Sequence, residues 1–534
     1  MKLNRRKILI SFGSAAIVSL VGYRKLKSIL TPRVIPGKIL GGNFSRGHLI
    51  RDPKFPDPSQ EIYTQTLIIG AGISGLSAGY HLKREQKENF LILDLESRIG
   101  GKSSSSKNKT GPYPLAAHYL PIPSSESNEL KNFLKECDVI KNIENGVCEY
   151  NELFLCFDPK ERLFLDGRWQ YGLEPSLGLS QSDQAELKRF FSLMNHYKKA
   201  IGHDGKRAFA LPVNRSSVDI KYRELDLITM SDFMKRNDFK NSYLIWYVNY
   251  CCRDDYGAPM NVVSAWAGIH YFACRNGEGL GVEESSLLTW PEGNSFLAHK
   301  LAKDISDKIK LNSLVYKIKQ EKDSKYSVWS YDFNQNKTIL YKTDNIIYSS
   351  PFFTAKKIID IPDMNMLIQE RQDDYAPWMT ANIEFDGELS TRETFLCWDN
   401  VNFHGKSLGY IYADHQKLSQ EKQTKNITFY FPLMESSTKL ARVKALTRTH
   451  QQWCEDVITE CELMHPNIRE HIISIDISLW GHGMSIPKPG FLKKVSPSKK
   501  HFVFAHTDQV GISLFEEGFY QGLEASKIIA KAMS

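Results

Sequence analysis

A short segment near residue 70 has the residue spacing of a turn that binds phosphate groups. It reads Gly-x-Gly-x-x-Gly and contains Gly70, Gly72, Ile73, Ser74 and Gly75. The first glycine allows a tight turn, the second lets the backbone approach a pyrophosphate, and the third lets a helix pack closely on a strand. The amino-terminal end of that helix offers unpaired amides and a positive dipole to the phosphates. Between a strand and a helix, such a segment predicts a site for a dinucleotide.

The residues around the turn supply the strand, helix and acid that this site requires. The apolar run at residues 66–69 predicts a buried strand, and the small and apolar residues after the turn predict a helix. A second apolar run, at residues 90–93, ends at Asp94, where a carboxylate accepts hydrogen bonds from the adenosine ribose. This order predicts an α/β chain with a Rossmann-like domain, and by itself it fits FAD and NAD equally.

The segment after Asp94 favours FAD. It contains Arg98, Gly100, Gly101 and Lys102, and it resembles the R-x-G-G-R segment of the FAD-dependent amine oxidase family, which includes monoamine oxidases, polyamine oxidases and phytoene desaturase relatives. Paired glycines allow close approach to phosphate, and the basic side chains neutralise it. The chain departs from the family pattern at Lys102, where the family has arginine, and at Asp94, where it usually has glutamate.

The resemblance recurs at distant points of the chain, in the same order. Segments that begin at residues 289, 309, 343 and 501 resemble the parts that return the family's chain to its nucleotide-binding domain. The resemblance implies that the backbone near Val315 meets the adenine, and that Asp508 holds the ribityl-pyrophosphate region. It also implies a helix that begins near Ser513 and directs its amides at the flavin. The family's A-G-D or A-G-E motif is altered here, since the glycine is missing and Asp508 comes one residue late. The implied cofactor is noncovalent FAD.

The same resemblance implies a discontinuous FAD-binding domain with an inserted α+β substrate domain. We expect the FAD-binding domain at residues 61–122, 285–351 and 476–534, and the substrate domain at 123–284 and 352–475. A length of 534 residues suits two domains or three. Nine basic residues lie within the first 38 positions, and the net charge is +8, so the remainder lacks the clustered basic face of a nucleic-acid-binding protein. The nine cysteines have no metal-site spacing, and we predict no metal.

Five aromatic and polar stretches are candidates for the substrate pocket, beginning at residues 118, 246, 264, 397 and 480. We predict that His118 and Trp480 belong to the catalytic site, because the family places the corresponding regions near the flavin and in an aromatic substrate cage. An aromatic wall holds a cationic or an apolar substrate. Asp254 and Asp255 form either a structural ion pair with Arg253 or a carboxylate pair that faces an ammonium group.

These features favour an FAD-dependent oxidoreductase that removes hydride from a C–H bond next to an amine nitrogen. Oxygen or a quinone would accept the electrons. Many amine oxidases place a lysine near the flavin, and residues 376–382, where we expect it, contain none. Three alternatives therefore stay open: a desaturase or isomerase that acts on an apolar substrate, an NAD(P)-dependent dehydrogenase, and a non-catalytic envelope protein that keeps FAD as part of a scaffold.

The first 30 residues have the pattern of an export signal or a membrane anchor. Arg5 and Arg6 precede an apolar stretch at residues 8–23, which is typical of twin-arginine export. The stretch is short for a membrane span, which favours a signal that is removed. It also lacks an evident cleavage site, which favours retention as an inner-membrane anchor. Both alternatives stay open. A proline- and glycine-rich tether is expected at residues 31–60. The predicted partners are the export machinery and a small-molecule substrate, and the predicted location is the bacterial periplasm.

Overall fold

The computed structural model describes residues 33–321, 325–389, 391, 393–412, 424–434 and 437–533. Two eight-stranded sheets organise these residues, and helices cover both. The sheets are called sheet I and sheet II below.

Sheet I contains the strands on either side of the glycine turn. In spatial order its strands are β12 (Ile309–Lys310), β3 (Phe90–Leu93), β2 (Gln60–Ile69), β15 (Lys337–Tyr348), β14 (Tyr326–Asp332), β13 (Ser313–Gln320) and β16 (Ile359–Asp360), and β22 (Phe502–Phe504) also pairs with β15. The pairs β2–β3, β2–β15 and β15–β22 are parallel. The last four residues of β2 are buried, as expected for a parallel strand covered on both faces. This sheet confirms the predicted Rossmann-like domain.

Sheet II is a mixed sheet built from distant parts of the chain. Its strands, in spatial order, are β1 (Ile39–Gly41), β21 (Ile472–Ser485), β17 (Tyr375–Phe385), β20 (Lys425–Pro432), β19 (Tyr410–Ile411), β18 (Asp399–Asn402), β9 (Glu161–Leu165) and β10 (Arg168–Tyr171). All eleven residues of β17 are buried, since it lies between two strands and is covered on both faces. Three two-stranded sheets complete the strands: β4 (Ser105–Lys107) with β5 (Pro112–Pro114), β6 (Tyr119–Pro121) with β11 (Leu287–Thr289), and β7 (Ile140–Glu144) with β8 (Val147–Tyr150).

The α-helices of the described residues are α1 (Phe44–Gly47), α2 (Ile73–Arg84), α3 (Asn128–Glu136), α4 (Gln181–Lys199), α5 (Ile220–Arg223), α6 (Met230–Arg236), α7 (Ser242–Tyr256), α8 (Ala265–Ala273), α9 (Ser295–Ala302), α10 (Phe352–Ile358), α11 (Pro362–Glu370), α12 (Thr438–Thr447), α13 (His450–Met464), α14 (Ile468–His471) and α15 (Phe515–Met533). Helices α2 and α15 approach closely because Gly522 lacks a side chain: a Cβ there would lie 2.2 Å from the carbonyl oxygen of Ser74. Within the described ranges, no helix has the length and apolarity to cross a bilayer.

Three segments pack differently from the domain boundaries expected from the sequence. Residues 476–485 were expected in the FAD-binding domain, but they belong to β21, which pairs with β17, and the chain rejoins sheet I only at β22. Residues 123–150 were expected in the substrate domain, yet α3, β7 and β8 bury their apolar side chains in the core of sheet I. Within the expected tether, β1 pairs with β21, so this part of the segment is built into sheet II. The predicted export signal lies outside the described residues.

Candidate functional site

The glycine turn joins β2 to α2 and leaves an open space beside its backbone. Gly70 has a φ of 109°, a conformation that favours glycine. A Cβ on Gly75 would lie 1.8 Å from the carbonyl oxygen of Gly70, whereas a Cβ on Gly72 would meet no atom within 4 Å. Helix α2 begins at Ile73, so the amides of Ile73 and Ser74 have no partner within the helix. This turn therefore presents free main-chain donors to the open space.

A second glycine turn lies directly against the first. Gly100 and Gly101 have φ values of 95° and 57°, and the amide of Gly100 donates to the carbonyl of Ala71 at 2.8 Å. A Cβ on Gly101 would lie 3.4 Å from the Cα of Gly72. The predicted partnership of the two glycine segments is thus present as a direct backbone contact.

Lys102 supplies a positive charge beside the two turns. Burial lowers the pKa of this lysine, and the nearby carboxylate of Asp508 raises it. Within the described part of the chain its ammonium group forms no hydrogen bond or ion pair. Arg98 lies farther along the turn and donates to the carbonyl of Ser105 at 3.4 Å. An enclosed cation without a partner is unfavourable, so the open space and its donors fit an anionic group such as the pyrophosphate of a dinucleotide.

Asp94 and Val315 lie at the predicted adenosine end. The carboxylate of Asp94 accepts from the amides of Ala71 at 2.5 Å and Glu96 at 2.7 Å, so it also fixes the first turn. Burial raises the pKa of Asp94, and these two amides lower it. The amide of Ser313 donates to the carbonyl of Asp94 at 2.7 Å, and β13 has a bulge immediately after Val315. The strand that the sequence assigned to adenine therefore begins beside Asp94, the acid predicted to bind the ribose.

Asp508 is fully buried and bound on every side by protein donors. Its Oδ1 atom accepts from the hydroxyl of Ser485 at 2.7 Å and lies 3.0 Å from Nδ1 of His506. Its Oδ2 atom accepts from the amide of Phe352 at 2.8 Å and the hydroxyl of Tyr375 at 2.7 Å. Burial alone would raise the pKa of Asp508, but His506 and the hydrogen bonds hold that pKa well below its usual range. Asp508 thus connects α10, β17 and β21, and a contact with a ribityl chain requires it to exchange one of these donors.

The last helix begins at Phe515, two residues later than the sequence suggested. The hydroxyl oxygen of Ser513 accepts from the amide of Ser485 at 3.0 Å, so Ser513 is bonded to the end of β21. Glu516 and Glu517 are buried in the first turn of α15. Burial raises the pKa of Glu516 to about 7 and the pKa of Glu517 to about 8. Near neutral pH this helix terminus therefore carries less negative charge than two ionised carboxylates.

The loop of residues 115–118 connects the glycine turns to a second site. The amide of Ala117 donates to the carbonyl of Lys102 at 3.0 Å. The indole nitrogen of Trp480 donates to the carbonyl of Leu115 at 3.0 Å. His118, at the end of the loop, lines a cavity of about 270 Å³, and Trp480 is not among the lining residues. The two predicted catalytic residues thus meet the same loop, with Trp480 holding it and His118 facing the cavity.

Four acidic side chains line this cavity: Glu161, Asp254, Asp399 and Glu284. Glu284 pairs with Lys198, and the other three form no ion pair within the described residues. Asp399 and Glu161 are register partners in the parallel pair of β18 and β9. Burial raises the pKa of Asp254 to about 7, with the charge of Asp255 as a second cause. Burial raises the pKa of Asp399 well above its usual range, with the charges of Glu161 and Asp254 adding to the effect. Burial also raises the pKa of Glu161. At Glu161, Asp254 and Asp399 burial therefore outweighs the nearby groups that favour ionisation, which include Lys160 beside Glu161 and Arg275 beside Asp254.

The two cationic side chains of the cavity wall have other acidic partners. The ammonium of Lys198 lies 2.7 Å from Glu284, and the guanidinium of Arg275 lies 3.6 Å from Asp255. Both belong to the lining of the cavity. Because these cations are paired with other acids, Glu161, Asp254 and Asp399 form no ion pair within the described residues, and a bound cation would favour their ionised forms.

Aromatic rings form the rest of the wall. The ring of His118 lies 4.3 Å from the ring of Tyr430 and 5.4 Å from that of Trp398, measured between centroids. Tyr119 and Tyr250 also line the cavity. Burial lowers the pKa of His118 to about 3, so its ring is neutral at physiological pH. Aromatic faces and carboxylates together are the groups that bind an organic cation.

Four of the five stretches proposed from the sequence contribute residues to this wall. The fifth, which begins at residue 480, contributes none. Of the acidic run, Asp254 faces the cavity while Asp255 pairs with Arg275. Glu161 was not anticipated, because nothing in its local sequence indicates that β9 pairs with β18. The lysine sought at residues 376–382 is likewise absent from the cavity wall, whose lysine is Lys198 on α4.

Comparison with known proteins agrees with this architecture. Residues 68–137 match the model of an NAD(P)-binding Rossmann-like domain. A wild-type putrescine oxidase bound to putrescine is similar with a TM-score of 0.63 and 13% identity, over 88% of this chain and 100% of that chain. Cyclohexylamine oxidase from Brevibacterium oxydans IH-35A has a TM-score of 0.62 and 13% identity, over 88% and 99%. A CLA-producing fatty acid isomerase from P. acnes has a TM-score of 0.59 and 16% identity, over 88% and 98%. The chain therefore has the amine oxidase fold, as its motifs indicated.

Proposed function

We propose that this protein is an FAD-dependent oxidoreductase that oxidises a cationic amine. The observation that carries the proposal is the aromatic cavity in which three carboxylates form no ion pair with any described residue, next to the loop that is bonded to the glycine turns. Such a cavity favours a substrate that carries positive charge in addition to its reacting nitrogen, because a bound cation lowers the pKa of the buried acids and pairs with their ionised forms. An aliphatic diamine or polyamine has this chemistry.

FAD is the cofactor that the two glycine turns support. The amides of Ile73 and Ser74 and the ammonium of Lys102 would hold the pyrophosphate, and Asp94 would meet the adenosine ribose. When bound, FAD supplies a ring that accepts hydride from a C–H bond. The predicted contact of Asp508 with the ribityl region remains part of this proposal.

The residues of the cavity would orient the substrate and control its charge. Glu161, Asp254 and Asp399 bind an ammonium group that does not react. The reacting nitrogen must be neutral, since its lone pair assists departure of the hydride. Neutral His118 suits that requirement: with the hydrogen of Nδ1 directed at the carbonyl of Ala116, 3.4 Å away, Nε2 is left as an acceptor. The ring therefore holds an amine N–H without adding positive charge.

The second candidate is an isomerase or desaturase, because a fatty acid isomerase shares the fold. The charge of the cavity argues against it here. A fatty acid carries a carboxylate, which Glu161, Asp254 and Asp399 would repel. An apolar chain would also leave these acidic groups without partners.

Export to the periplasm remains part of the proposal. The twin arginines and the apolar stretch at residues 8–23 support export in a folded state, which suits a protein that binds its cofactor before transport. Retention of the stretch would tether the protein to the inner membrane.

The test is spectroscopic. The purified full-length protein, loaded with FAD, should show flavin absorbance and should lose it under anaerobic conditions when an aliphatic diamine is added. An unsaturated fatty acid is the comparison ligand. Failure of the protein to bind FAD, or an unchanged spectrum with every amine and polyamine, would contradict the proposal.

A further inference from the structure

Helix α12 exposes an apolar stripe to the outside of the molecule. The exposed fractions are 62% for Leu440, 54% for Val443 and 44% for Leu446. Residues spaced by three lie on one face of a helix. Ala441 and Ala445 are buried and attach the opposite face to the protein. The helix is therefore packed against the protein through one face and exposes the apolar stripe on the other.

The segment that carries the stripe is basic in sequence. Residues 437–450 contain four lysine and arginine side chains and no acid. Two of the four turn inward: Arg442 donates to the carbonyl of Tyr375 at 3.1 Å, and Arg448 pairs with Asp456. Lys439 and Lys444 are exposed beside the stripe. A helix with exposed aliphatic residues between lysines has the composition of one that lies in the interface of an anionic bilayer.

The amino-terminal segment joins the protein beside this helix. The amide of Ile35 donates to the side chain of Gln451 at 3.0 Å, and that side chain donates back to the carbonyl of Ile35 at 2.7 Å. Gln451 lies four residues beyond the end of α12 at Thr447. Residues 1–30, whose sequence predicts an export signal or membrane anchor rich in basic residues, precede this attachment point. An anchored chain would therefore hold α12 close to the bilayer.

We infer that the exposed face of α12 docks on an anionic membrane surface. Leu440, Val443 and Leu446 enter the boundary between headgroups and acyl chains, while Lys439 and Lys444 contact acidic headgroups. This docking requires neither substrate nor cofactor. The exposed face of α12 is the same whether the amino-terminal segment is retained as an anchor or cleaved.

A single fluorescent label tests this surface on the full-length protein. All nine cysteines are buried, so an introduced exposed cysteine is labelled selectively. Val443→Cys carries an environment-sensitive fluorophore, and Ile528→Cys on α15, where the native residue is 43% exposed, is the matched control. Each protein is mixed with phosphatidylcholine vesicles that contain phosphatidylglycerol, and with phosphatidylcholine vesicles alone.

We expect a blue shift and quenching by lipid-borne quenchers at position 443 with the anionic vesicles, and no change at position 528. The double variant Lys439→Glu, Lys444→Glu should abolish the shift and leave flavin content unchanged. Three results would overturn the inference: sedimentation with anionic vesicles without a shift at 443, an equal shift with neutral vesicles, or a shift without vesicles that depends on protein concentration. The last result would identify a contact between two copies of the chain.

Discussion

Asp399 and Glu161 face each other as register partners in the parallel pair of β18 and β9, and both line the cavity. Like charges in this arrangement are destabilising. Asp254 adds a third acidic group, and the lysine and arginine of the wall are paired with other acids. The protein thus retains an unfavourable cluster where a cationic ligand would relieve it.

Two glycine variants should separate cofactor binding from folding. Gly72→Ala adds a Cβ that meets no protein atom, and its backbone has an ordinary φ of −73°, so the protein should fold with an unchanged melting temperature. The methyl group would occupy the space proposed for the pyrophosphate, and FAD affinity should fall by about tenfold or more, which is about 1.4 kcal/mol. Gly75→Ala, whose Cβ would lie 1.8 Å from a carbonyl oxygen, should prevent folding. FAD affinity is measured by flavin fluorescence titration. An unchanged affinity in Gly72→Ala would show that the glycine turn does not contact the cofactor.

Neutralising the cavity should weaken substrate binding more than turnover. Asp399→Asn keeps the shape of the side chain and removes its charge, so KM for a diamine should rise by about tenfold while kcat changes less. The matched control is Asp386→Asn, since Asp386 lies outside the cavity lining and pairs with His471. Steady-state kinetics of both variants distinguish the effects. An equal fall in kcat with an unchanged KM would show that Asp399 acts in the chemical step.

The affinity for a cationic amine should depend on pH near neutrality. Burial raises the pKa of Asp254 to about 7, and the protonated acid does not attract an ammonium group. KM should therefore rise as the pH falls through about 7. The other ionisable groups of the wall remain in place in Asp254→Asn; they are Glu161, Glu284, Asp399, His118, Lys198, Arg275 and the tyrosines at 119, 250, 271 and 430. In that variant the change in KM near pH 7 should disappear. The change in KM at alkaline pH, which is caused by titration of the substrate's own nitrogen, should remain. If the change near pH 7 persists, another group causes it.

The same charges should reduce the stability of the ligand-free protein at high pH. The pKa of Asp399 is raised in the folded state, so the folded protein binds this proton more tightly than the unfolded chain. The contribution of Asp399 to the free energy of unfolding is therefore fully present at low pH and is lost as the pH rises through the pKa that Asp399 has in the folded protein. Asp399→Asn should melt at a higher temperature than wild type at pH 8 and at a similar temperature near pH 4, with a gain of about 1 kcal/mol or more at pH 8. Circular dichroism melts at the two pH values test this; a lower melting temperature at pH 8 would contradict it.

The sequence predicted the strand, the glycine turn and the helix well because this unit is local. Gly70, Gly72 and Gly75 fall on consecutive parts of one strand, turn and helix, and their roles follow from spacing alone. Asp94 was also placed correctly beside the turn, since it ends the next strand of the same unit.

The cavity could be predicted only in part because it depends on strand pairing between distant segments. Asp254, Trp398 and Asp399 belong to stretches that looked unusual for a plain core, and they line the cavity. Glu161 gave no such signal, because its role arises only when β9 pairs with β18. The position of β21 was missed for the same reason: its neighbour β17 lies far away in sequence.

The most direct test compares the dissociation constants of a diamine and a monoamine of equal carbon number, both obtained from the reduction of the bound flavin. In anaerobic stopped-flow measurements on the FAD-loaded protein, 1,4-diaminobutane should give a dissociation constant at least about tenfold lower than butylamine, a difference of about 1.4 kcal/mol. Asp399→Asn should remove most of that difference. Equal dissociation constants for the two amines, or a preference for butylamine, would contradict the claim that the three carboxylates bind a second positive charge.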